Sequence, residues 1–110
     1  MNTTGLIRGY MSKNMIAQEF IKVVIRALSR EFNTYVKLEN INENEFTITM
    51  KNCGVVMNMN LINELKSPYG VDRFLLQEFE KQGFKFDRNR SKYIQYCFGM
   101  YKNDDELLSM

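Results

Sequence analysis

From Met15 to Phe32 the chain carries no Gly or Pro, and its polar residues fall on one narrow face. At about 100° per residue, Gln18, Glu19, Lys22, Arg26, Ser29 and Arg30 lie together. Ile16, Ala17, Phe20, Ile21, Val23, Val24, Ile25, Ala27, Leu28 and Phe32 spread over an arc of roughly 200°, about twice the stripe of an ordinary surface helix. The pattern predicts a helix over 15–32, opened by Ser12 or Asn14 as N-cap and buried on two sides.

The period then shortens to two. Val36 and Leu38 alternate with Tyr35, Lys37 and Glu39. Phe46, Ile48 and Met50 alternate with Thr47 and Thr49, and Val55, Met57, Met59 and Leu61 with Val56, Asn58 and Asn60. Such alternation predicts strands with one apolar and one polar face. The Asn- and Gly-rich joints at 40–44 and 51–54 suit the turns of an antiparallel meander.

Leu61–Leu65 is a short apolar run, broken at Ser67-Pro68-Tyr69-Gly70. From Val71 the spacing of Phe74, Leu75 and Phe79 returns to a helix, which Gly83 should end in a left-handed conformation with Phe84 packed back on Phe79. Residues 84–101 alternate again and predict a β-hairpin with Arg88-Asn89-Arg90 at its tip and Ile94, Tyr96, Phe98 and Met100 on its core face. The expected fold is therefore α+β: an antiparallel sheet of three to five strands, ordered helix, three-strand meander, helix and C-terminal hairpin, with two helices packed on one face. Residues 1–14 are expected to form an N-terminal arm, 15–102 a single domain and 103–110 a flexible acidic tail.

Composition narrows the class. Of 110 residues 45% are hydrophobic, and nine of the fourteen aromatics lie between Tyr69 and Tyr101, enough for one globular core. Heavy use of Asn, Lys, Ile and Met with a single Pro is what an AT-rich bacterial or phage genome would encode. No apolar run reaches the length of a signal peptide core or a membrane span, which points to the cytoplasm and no membrane partner. Cys53 and Cys97 are too far apart for a CxxC pair and fit reduced thiols.

The chain has no histidine. That removes the usual general base near neutral pH and the commonest metal ligand, and it forbids Ser-His or Cys-His nucleophiles. Neither a metal nor a cofactor set is present as a motif, so a non-enzymatic role with no cofactor is expected. The oxygen-rich stretch Glu39–Glu45 lacks the spacing of an EF-hand loop.

The net charge of +2 is small, but it is segregated. Lys81, Lys85, Arg88, Arg90 and Lys92 stand against Asp87 alone, whereas Asp104, Asp105 and Glu106 cluster in the tail. At the level of element order 61–101 resembles a winged helix-turn-helix, with Leu61–Lys66 as first helix, Ser67–Gly70 as turn, Val71–Gln82 as recognition helix and 84–101 as wing. That resemblance implies a nucleic-acid binder gripping phosphate through the basic tip 85–92. The outward residues expected on the second helix, Asp72, Arg73, Gln77, Glu78, Glu80 and Lys81, sum to a negative charge that phosphates would repel. The order of 15–82 also resembles a double-stranded-RNA-binding domain, but no lysines open its second helix.

The candidate binding rim is thus Lys85, Arg88, Arg90, Lys92, Tyr93 and Tyr101. The function expected is binding of another macromolecule, foremost a protein, as a regulator or inhibitor of a phage or mobile-element type; nucleic acid is the alternative. The excess apolar surface of helix 15–32 fits a homodimer with Ile21 and Ile25 at the interface.

Overall fold

A computed structural model of the chain describes residues 3–100. In order, these form α1 (Thr3–Asn14), α2 (Ala17–Phe32), β1 (Val36–Asn40), β2 (Glu45–Met50), β3 (Cys53–Asn58), α3 (Met59–Leu65), α4 (Gly70–Lys81) and α5 (Lys92–Cys97). The class is α+β with one three-stranded antiparallel sheet, order β1-β2-β3. Among the described residues no helix is long and apolar enough to cross a membrane.

The period-two pattern places its residues as alternation requires. Leu38, Ile48 and Val55 form one cross-strand row and Val36, Met50 and Cys53 another. Phe46, Ile48, Met50, Val55 and Met57 are buried, while Lys37, Glu39 and Val56 face solvent. Cross-strand rows of this kind are the unit by which a sheet is stabilised. The first turn is held by Asn42, whose Oδ1 accepts from the backbone of Asn44 and Glu45 at 2.9 Å each.

Helix α2 packs against β1, and α4 against β3 and α2. Phe20, Val24 and Leu28 from α2 and Val71, Leu75, Leu76 and Phe79 from α4 share one core cluster with the inward strand residues. The Gln82 side chain also ties α4 to the β3 edge, accepting from Gly54 N at 2.9 Å and donating to Gly54 O at 2.7 Å. The stop at Gly83 follows the local chemistry. Its φ is +100°, Phe84 N donates to Phe79 O at 3.0 Å and Gly83 N to Glu80 O at 3.1 Å, and the Phe79 and Phe84 rings meet edge to face. That is the Schellman motif with its hydrophobic contact.

Several expectations are corrected. The hairpin at 84–101 is absent from the described part of that stretch: 84–91 is irregular and Lys92–Cys97 is α5. Ser91 Oγ accepts from Ile94 N at 3.1 Å and caps the helix. Ile94 and Cys97, buried together, stand at the i,i+3 spacing of a helix face, so the apolar run suits either period and the cap decides. The sheet accordingly has three strands. β3 ends at Asn58, where the expected alternation ran to Leu61, because Asn58 Oδ1 accepts from Leu61 N at 2.8 Å and starts α3. α2 opens at Ile16 with no side-chain cap; Ser12 and Asn14 instead bond back to Gly9 and Tyr10 carbonyls within α1.

The stretch expected as an arm contains helix α1, and the tail 103–110 lies outside the described residues. Ile21, the first of the two proposed interface residues, is 2% exposed inside the chain's own core, and Ile25 is partly buried against it. The second apolar side of α2, at Val23 and Ala27, faces Ile7 and Met11 of α1 across an open cleft.

Candidate functional site

Along α1, Arg8 and Ser12 point inward and are buried, whereas Leu6 and Tyr10 point outward. Arg8 is the anchor. Its two terminal nitrogens donate to Asp72 Oδ1 at 2.7 Å and Oδ2 at 2.6 Å, and one of them also donates to the Pro68 carbonyl at 2.6 Å. Asp72 sits in the first turn of α4 and is 0% exposed. Its Oδ2 takes a third donor, the Tyr93 hydroxyl from the first turn of α5. Charge-assisted bidentate bonds of this kind are the strong ones, and here they join three helices distant in sequence.

Aromatic rings enclose the pair. The Arg8 guanidinium lies 5.0 Å from the centroid of Tyr69 and 5.8 Å from that of Phe20. Tyr69 in turn stacks on Tyr96 and meets Tyr93 edge to face. Burial works against the Arg8 charge, but the Asp72 hydrogen bonds and charge outweigh it and hold the proton more tightly than in water. Burial, then the Asp72 charge, pushes Tyr93 well above the ordinary tyrosine value, and the same two causes raise Cys97. Tyr69 is pushed up to about 12 by burial, with Arg8 pulling the other way. At neutral pH these groups are neutral donors around a closed ion pair.

Beside the pair an open cleft of about 390 Å³ runs between α1 and α2. Ile7 and Met11 form one wall, Val23 and Ala27 the other, and Arg30, Glu31, Tyr69 and Tyr93 supply its polar edge. The apolar wall continues outward along α1, where Leu6, Ile7 and Tyr10 are 64%, 51% and 70% exposed. On a helical wheel these three span an arc of about 100°, a contiguous apolar face rather than scattered residues.

The rim expected from sequence does not come together as one site. Arg88 pairs with Glu80 at 2.8 Å and lies over the Phe98 ring at 4.0 Å. Arg90 pairs with Glu31 at 2.7 Å and lies over the Phe32 ring at 4.6 Å. Both cations are thereby drawn onto the protein's own surface. Lys85 and Lys92 are exposed, Tyr93 turns inward to Asp72, and Tyr101 lies outside the described residues. Asp72, expected on an outward face, is fully buried. Nothing in the local pattern marks Arg8 or Asp72. A basic residue among the apolar residues of a weakly polar helix was the available clue, and its partner is 64 residues away.

Compared with protein-family models, with curated proteins and with solved structures, the chain matches none of them.

Proposed function

We propose that the protein is a non-enzymatic protein-binding module, and that its docking surface is the cleft between α1 and α2 together with the exposed face of α1. The observation that carries this is the continuity of the cleft wall at Ile7 with Leu6 and Tyr10 on the outside of the same helix. A contiguous exposed apolar face is a feature of interaction surfaces, and a groove beside a helix suits the apolar side chains of a partner segment. Two rigid elements frame it, because the Arg8–Asp72–Tyr93 bonds hold α1 against α4 and α5. The free thiols Cys53 and Cys97 are buried, in keeping with a reducing compartment such as the cytoplasm. A nucleic-acid role is less well supported, since the two arginines of the basic tip are engaged with Glu80 and Glu31.

The test is selection of a displayed library of amphipathic peptides on the immobilised protein. Enrichment should be lost on Ala27→Trp, which fills the cleft, and on Ile7→Asp, which places a charge on its half-exposed wall. Equal enrichment on wild type and both variants would rule out the cleft as the docking surface.

A further inference from the structure

Resting on the docking role proposed above, we infer that the partner segment presents a carboxylate among its apolar side chains, and that Arg30 is the group that receives it. The cleft is one-sided in its hydrogen-bonding capacity. Its carboxylate, Glu31, already accepts from Arg90 Nε at 2.7 Å through one oxygen and from Ser91 Oγ at 2.9 Å through the other. Asp72, behind the wall, accepts from Arg8 twice and from Tyr93. The acidic groups are therefore occupied within the protein.

The donors are not. Arg30 is exposed at the cleft edge and makes no ion pair among the described residues. Tyr69 lines the same cleft, and its hydroxyl is buried behind that wall with no hydrogen-bond partner. With Arg8 neutralised by Asp72 and Glu31 by Arg90, the residual charge of the cleft is that of Arg30. A ligand that brings acceptors and negative charge satisfies Arg30. One that brings an ammonium is repelled, and a neutral amide gains less.

The cleft is open and runs onto Leu6 and Tyr10, so its occupant is longer than the cavity itself. That favours an acidic amphipathic segment of a partner protein over a compact small molecule. Apolar side chains would enter between Ile7 and Val23, with an Asp or Glu beside them reaching Arg30.

Three displayed peptide libraries with the same randomised apolar positions test this, the intervening positions being fixed as Glu, Gln or Lys. On wild type at low salt the Glu library should be enriched about fivefold over the Gln library, as for a partly exposed ion pair, and this advantage should shrink as salt rises. Arg30→Gln should make Glu and Gln libraries equal while both still bind, and Arg30→Lys should keep part of the preference. Equal enrichment of Glu and Gln on wild type, or a Glu preference that survives Arg30→Gln, overturns the assignment to Arg30 and leaves the docking role standing. Failure of every library to exceed the Ala27→Trp control, both on wild type and with Asp104, Asp105 and Glu106 changed to Asn, Asn and Gln, overturns the docking role itself. Asp104, Asp105 and Glu106 of the same chain carry the same chemistry, and one variant separates the two sources. If peptides bind only after these three are changed to Asn, Asn and Gln, the carboxylate belongs to the chain itself and the partner assignment falls.

Discussion

Replacing Asp72 with Ala should be among the most damaging single changes in the protein. The carboxylate is fully buried, its counter-ion Arg8 has a 5% exposed side chain, and three donors converge on its two oxygens. Were the pair exposed, its loss would cost at most about 1 kcal/mol. Buried, the change leaves a guanidinium without its counter-charge and the Tyr93 hydroxyl without its acceptor, and removal of one partner from such a pair costs about 3–5 kcal/mol. In a domain of this size that corresponds to a fall in Tm on the order of 20 °C. Urea unfolding followed by circular dichroism measures the cost. Hydrogen exchange should show protection lost first in α1 and around Pro68–Asp72, the segments that Arg8 joins. The double variant Arg8→Met, Asp72→Leu should recover most of the loss, because an apolar pair of similar volume carries no stranded charge. A loss below about 1 kcal/mol for Asp72→Ala, or a double variant no more stable than the single, would refute the reasoning.

Two further outcomes follow from the same geometry. Tyr69 and Tyr93 both hold their protons more tightly when folded than the ordinary tyrosine value of about 10. Their contribution to stability is therefore complete below that pH and is lost as pH rises through the folded values, from about 10 up to about 12 for Tyr69 and from about 10 upward for Tyr93. Denaturation midpoints measured from pH 8 to 12 should fall over that window, and by less in Tyr69→Phe and Tyr93→Phe. Gly70 opens α4 where a Cβ would lie 2.2 Å from Leu65 O and 2.5 Å from Ser67 Oγ. Gly70→Ala should cost about 1–3 kcal/mol by prising α3 from α4, and an unchanged urea midpoint would contradict that contact.

Sequence patterns reached unequally far. The helix of 15–32, the three alternating strands and the Gly83 stop follow from interactions within a few residues, and the structure shows β2 and the stop in place and the helix and the other two strands with shifted ends. The shifts have local causes that pattern alone underweights: Asn58 and Ser91 cap helices where the alternation of Met59–Leu61 and of residues 94–100 suggested strands. A short apolar run fits both periods, and one capping bond tips it. The candidate site was less legible. Arg88 and Arg90 lie on an exposed turn of an irregular segment rather than at a hairpin tip, and their partners Glu80 and Glu31 lie on helices that only packing brings near.

The sequence by itself determined the α+β class, the core faces of the strands and the exclusion of histidine chemistry, because periodicity and residue type act locally or through composition. Tertiary structure alone decided that the second apolar side of α2 faces α1 across an open cleft, that Arg8 and Asp72 neutralise each other across 64 residues, and that Arg30 is left at the cleft edge without an ion pair among the described residues. Those outcomes depend on which charges become neighbours after burial. No periodicity along the chain encodes that; it is set when the helices close on the sheet.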